Sequence, residues 1–203
     1  LAANEGGGFW AGGSGASMTI TDSMFDSNLA NGTESHDGGG AVFNNGGSLT
    51  ISGSTFESNA ASIGSGSGGA ILNMGGITTI SESTFTANIS ARAGGAIEDN
   101  SAGISGSDAE ADRDPSQTDV DITNSVFTMN TTGASPGNGG AIHITGNGVM
   151  DIVGSTFNEN TAANEGGALW NFASSIMTVS NSTLSANTAV DGGGLFLQPQ
   201  EET

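Results

Sequence analysis

The chain has 203 residues, of which 21 are acidic and two, Arg92 and Arg113, are basic; lysine is absent and the formal net charge is −19. Such a surface repels nucleic acid and anionic lipid and favours divalent cations or basic partners in a saline, extracellular setting. There is no cysteine to form a disulfide, no apolar run of about 18 residues to span a membrane, and no charged leader with an apolar segment, so an exported form has had its signal removed.

Read from its start, the chain opens on Leu1-Ala2-Ala3-Asn4-Glu5-Gly6-Gly7 and a short apolar phrase at Gly8-Phe9. A stretch with apolar and polar residues alternating follows, the period of a half-buried strand, and it ends in Phe25 to Asn28. The same pair of phrases then recurs. Glycine phrases centre on Ala41-Val42, Ala70-Ile71, Ala96-Ile97, Ala141-Ile142, Ala168-Leu169 and Gly194-Leu195. The alternating strands end in Phe56 to Asn59, Phe85 to Asn88, Phe127 to Asn130, Phe157 to Asn160 and Leu184 to Asn187. Steps between them are 31, 29, 42, 30 and 27 residues, and the long one holds an inserted loop, roughly Asn100 to Thr118. A repeat of about 30 residues predicts stacked units that share one core. The fold class is all-β: a three-sided parallel solenoid of about six to seven coils, one domain over 1–203, uncapped at both ends.

In register, the coils form columns. Ile20, Ile51, Ile80, Ile122, Ile152 and Val179 make one; Ser23, Ser54, Ser83, Ser125, Ser155 and Ser182 a second; Phe25, Phe56, Phe85, Phe127, Phe157 and Leu184 a third. Each is expected to be a ladder with about 4.8 Å between rungs, the aromatic rungs stacking inside the core. The column Asn28, Asn59, Asn88, Asn130, Asn160 and Asn187 sits at a turn, where Asn tolerates left-handed backbone and its amides can bond along the axis. The glycine pairs provide positive φ and close backbone approach.

With both phrases in hand, the chain resembles the polymorphic outer-membrane protein (Pmp) repeats of chlamydiae, marked by interspersed Gly-Gly-Ala-Ile and Phe-x-x-Asn tetrapeptides. Gly95-Ala96-Ile97 with Phe85 to Asn88 carries the likeness well, and the alternation runs from Gly6 to Leu195. The resemblance implies a right-handed parallel β-helix displayed at the cell surface, with adhesion as its usual role. Leu184 stands in place of Phe, Gly8 and Gly194 in place of Ala, and the chain is too short to include an autotransporter barrel.

Candidate sites lie beside the repeat. The residue after each buried apolar position of the glycine phrase is expected to face outward, and that column reads Trp10, Phe43, Leu72, Glu98, His143, Trp170, Phe196. Exposed, Trp10, Phe43, Trp170 and Phe196 would stack on a glycan or anchor a host protein. Glu98 and His143 are expected to form a structural salt link. Asp121 and Asp151 share a column of threonines and could hold calcium or act as an acid/base couple. Asp108, Glu110, Asp112 and Asp114 alternate in the inserted loop, a partial likeness to a calcium loop without its glycine and closing glutamate.

Uronate lyase chemistry is disfavoured, since it needs a base and cations where this chain has no lysine and two arginines. The sequence therefore predicts a non-enzymatic, extracellular structural or adhesive module with no nucleic-acid or membrane-inserted partner. The opening segment repeats Thr161 to Gly167 and the end follows a glycine phrase, so the open ends are expected to join further repeats or a second copy, head to tail, as a filament subunit. The alternative is a polysaccharide-binding protein or a carboxylate-based polysaccharide hydrolase.

Overall fold

The computed structural model describes residues 1–13, 15–100 and 118–199. All regular structure in them is strand, in four parallel sheets that run along one axis. The glycine sheet contains Phe9–Gly12, Val42–Asn45, Ile71–Met74, Ile97–Asn100, Ile142–Thr145, Leu169–Asn171 and Leu195–Leu197. The isoleucine sheet has six strands, from Ser17–Thr21 to Ile176–Ser180, and the phenylalanine sheet six, from Met24–Asp26 to Thr183–Ser185. A short sheet of Ala60–Ala61, Ile89–Ser90 and Thr131–Thr132 closes the third side. Successive coils thus lie about 30 residues apart in sequence, as a parallel β-solenoid.

The alternating stretch, expected as one strand, is two. A bend splits it in every coil at Asp22, Gly53, Glu82, Asn124, Gly154 or Asn181, all with φ between 46° and 64°. The following serine secures the corner: its hydroxyl donates to the carbonyl two residues back, as in Ser83 Oγ to Ser81 O at 2.7 Å, and accepts the N–H of the serine one coil below, as from Ser54 at 3.1 Å. A backbone donor that the bend removes from the ladder is thereby satisfied.

The core is the expected set of files. Ile51, Ile80, Ile122 and Ile152 are fully buried, and Phe25, Phe56, Phe85, Phe127 and Phe157 stack with ring centroids 4.7–4.9 Å apart and planes within 6°. The stacking follows from strand spacing, since identical rotamers on adjacent parallel strands repeat at that distance. The asparagine file lies inside the core wall. Asn88 is typical: its N–H and Nδ2 donate to Asn130 Oδ1 at 3.0 and 2.9 Å, and Nδ2 also donates to Phe56 O at 2.9 Å. Left-handed backbone falls one residue earlier than expected, at Ser27, Ser58, Ala87, Met129, Glu159 and Ala186, with φ of 53–56°. Asn must keep its amide pointed along the file, so its neighbour takes the turn.

The two glycines of each phrase do different work. The first, as in Gly94 and Gly139, has φ of 61° and 66°. The second allows close approach of adjacent coils: a Cβ on Gly95 would lie 2.0 Å from the carbonyl oxygen of Gly140, and one on Gly69 would lie 2.1 Å from that of Gly95.

Candidate functional site

The column expected to face outward is, for the most part, buried. It does lie on the far side of the glycine sheet from the main core, but the left-handed glycine turns fold back over it. A Cβ on Gly139 would sit 2.9 Å from His143 Cβ, and one on Gly166 3.1 Å from Trp170 Cβ. Phe43 and Leu72 are fully buried, in a small second cluster with Met74, and Trp170 is 4% exposed. Phe196 is half-buried, and Trp10 at 53% is the member most open to solvent. Phe43 and Trp170 are therefore packing residues, not a binding stripe.

Under that cover the column turns ionic in mid-molecule. Glu98 is 1% exposed, and its carboxylate lies 2.7 Å from His143 Nδ1 and 3.2 Å from Arg92 Nη1, which also donates to Ser67 Oγ at 3.1 Å. A buried carboxylate is tolerable only when paired in this way. His143 stacks on Trp170 with centroids 4.2 Å apart, and Trp170 Nε1 donates to Glu165 at 2.9 Å. The Glu98–His143 link is thus structural, as the shared column predicts, while the contribution of Arg92 was not legible because it reaches in from the third side.

Asp121 and Asp151 are register partners on neighbouring strands of the isoleucine sheet, both half-buried, and Thr118 Oγ1 donates to Asp151 at 3.2 Å. Among the described residues no three His, Asp or Glu side chains gather as a metal site would require. Asp108, Glu110, Asp112 and Asp114 lie outside the described residues. No helix among the described residues is long and apolar enough to cross a membrane.

A second amide file was missed by the sequence reading. Asn44 Nδ2 donates to Asn73 Oδ1 at 2.8 Å, and Asn73 Nδ2 to Asp99 Oδ1 at 2.7 Å; the same amides reach Gly47 O and Gly76 O. Its signal is the Asn-x-x-Gly spacing shared by Asn44 to Gly47 and Asn73 to Gly76.

The end rungs differ from the rest. Phe25 and Leu184 are half-buried where the four phenylalanines between them are fully buried, and Met24 at 62%, Ile176 at 59% and Leu197 at 60% present apolar surface.

Comparison with curated proteins and with solved structures gave no match. Residues 154–171 match the Chlamydia polymorphic membrane protein (Chlamydia_PMP) repeat. That span runs from the bend at Gly154 through Ser155, Phe157, Asn160 and the glycine pair to the strand at Leu169–Asn171, the part of one turn that follows the isoleucine-sheet strand at Val149–Val153. The phenylalanine-sheet strands of the other coils pair with it in register, so the chain is a parallel β-helix with a segment similar to the Chlamydia polymorphic membrane protein repeat at 154–171.

Proposed function

We propose that this chain is a structural and adhesive segment of a surface-displayed β-helix, extended along its axis by further coils stacked on its open rungs. The carrying observation is the pair of half-buried end rungs at Phe25 and Leu184, flanked by exposed Met24 and Ile176, which leave core and strand edge without the neighbour that every inner coil has. A surface location accords with the polymorphic membrane protein repeat at 154–171. In the filament form of this reading, the last strand of the glycine sheet in one copy pairs with the first strand of the next. Sedimentation and electron microscopy of the purified protein test it: fibres should show a repeat of about 30 Å per subunit, set by six to seven rungs at strand spacing. Monomers alone at every concentration would sink the filament form. The adhesive role rests on Trp10, whose exposed indole is held by a 3.1 Å bond from Nε1 to Glu5 and by stacking on Phe43; Trp10→Ala should weaken glycan or host-surface binding while leaving the fold intact.

A second reading, a carboxylate-based polysaccharide hydrolase, has in its favour the adjacent rungs of Asp121 and Asp151. Turnover on a polysaccharide panel that disappears in Asp121→Asn and Asp151→Asn would establish it.

A further inference from the structure

The chain contains four Asn–Gly pairs, which begin at Asn31, Asn45, Asn138 and Asn147. Such a pair has its own chemistry. Glycine has no Cβ to shield its backbone nitrogen, so that nitrogen can reach the carboxamide carbon of the asparagine before it. Two conditions decide whether it does: the asparagine must be free to swing back on its own backbone, and the glycine N–H must not be held in a hydrogen bond.

The solenoid withholds both conditions from three of the pairs. Gly32, Gly46 and Gly139 donate their N–H to Asn4 O at 3.2 Å, Met74 O at 3.0 Å and Glu165 O at 2.9 Å, bonds that join neighbouring coils. Asn138 is buried, and Asn31 and Asn45 are half-buried. Asn147 differs on both counts. It is exposed, and the Gly148 N–H donates to no described residue.

Local sequence explains the exception. Between the glycine strand and the isoleucine strand two coils turn through a glycine pair, Gly46-Gly47 and Gly75-Gly76, and each turn is braced from within: Asn44 Nδ2 donates to Gly47 O at 3.1 Å and Asn73 Nδ2 to Gly76 O at 2.7 Å. Asn171 braces its own turn through Ser175 O at 3.2 Å. In the coil of Asn147 that register position is Ile144, which has no donor to offer, and the turn Gly146-Asn147-Gly148 is one residue longer. Its two ends are nevertheless fixed. Gly146 O accepts from Ser174 Oγ at 2.7 Å and Ser175 Oγ at 2.9 Å, and Gly148 O accepts the Ile176 N–H at 2.8 Å. The Asn147–Gly148 peptide is thus the unbraced link between two anchored carbonyls.

We propose that Asn147–Gly148 is a self-modification site, at which the folded protein converts asparagine to aspartate and isoaspartate. The Gly148 nitrogen gives its proton to solvent base and attacks Asn147 Cγ; the N–Cγ bond forms, the Cγ–Nδ2 bond breaks, and the amide nitrogen leaves with a solvent proton as ammonia, closing a succinimide. Water then opens the ring. Opening at Cγ gives aspartate, and opening at the main-chain carbonyl carbon gives isoaspartate, which adds a methylene to the backbone between the anchored carbonyls. In sum one water is consumed and one ammonia released, and the turn gains a carboxylate. This goes beyond the surface-module reading and does not depend on it.

The test is to age the purified full chain at neutral and mildly alkaline pH and follow each pair by peptide mass mapping, with enzymatic methylation of isoaspartate as a second readout. In the folded protein Asn147 is expected to convert first, with Asn31, Asn45 and Asn138 about tenfold slower or more because they react only from locally opened states. The rate at Asn147 should rise with pH, since the attacking nitrogen must lose its proton. In concentrated urea the four pairs should converge on similar rates, which separates the effect of the fold from that of the sequence. Gly148→Ala, at a position whose backbone is not left-handed, should slow conversion at Asn147, and Asn147→Gln should remove it. In the isoaspartate product the Ile176 amide should lose hydrogen-exchange protection. Conversion at any of the other three pairs as fast as at Asn147 in the folded chain overturns the site, as does an Asn147 that stays intact while the unfolded chain reacts.

Discussion

Asn88 carries several bonds through one side chain. Its Oδ1 accepts from the N–H and Nδ2 of Asn59, and its Nδ2 donates to Phe56 O and to Asn130 Oδ1. All are buried, and a buried group left unsatisfied costs about 1–3 kcal/mol. Asn88→Ala is expected to destabilise the protein by about 3 kcal/mol in urea unfolding, and Asn88→Asp, which keeps the acceptor but buries a charge and loses the donor, by at least as much. A loss below about 1 kcal/mol would mean that water or relaxed backbone replaces the file. The position of these residues was legible, since Asn recurs three residues after each Phe. Their conformation was not: turn propensity assigns the left-handed backbone to Asn, whereas the file requires Ala87 and its equivalents to adopt it.

At the scale of the strand, periodicity identified the inward faces of the alternating segments, and Phe85 is the middle of a five-ring stack. Phe85→Leu should cost about 1 kcal/mol, because Leu184 shows that the file accepts a branched aliphatic rung, and Phe85→Ala about 3–5 kcal/mol for the cavity it leaves. Differential scanning calorimetry would rank them, and equal losses would contradict the stack as a source of stability. The same periodicity failed on the glycine sheet. A strand covered on both faces has no solvent side, so alternation there separates one core from another, with Val42 and Ile71 in the first and Phe43 and Leu72 in the second. The Arg92, Glu98 and His143 cluster was legible only in its Glu–His half, because these two share a column whereas Arg92 comes from a different side of the coil.

Across the whole molecule each coil touches only its neighbours, so stability should be graded from the middle outward. Hydrogen exchange is expected to be fastest in the strands at Met24–Asp26 and Thr183–Ser185 and slowest at Thr84–Thr86 and Val126–Thr128. A flat profile would contradict the one-dimensional picture. With 21 carboxylates against two cations, added salt should raise the urea midpoint by screening self-repulsion; an unchanged midpoint would show that the charges are too dispersed to matter.

The asparagine file has one more consequence, which concerns symmetry. From Asn28 to Asn187 every side-chain amide donates in the same sense along the axis, so their dipoles add as peptide dipoles do in a helix. The solenoid is therefore a polar rod, with amide hydrogens at one end and amide oxygens at the other. A two-fold dimer through either end would set like against like. Any assembly built on these ends must be heterologous, with a growing face and a receiving face that are chemically distinct.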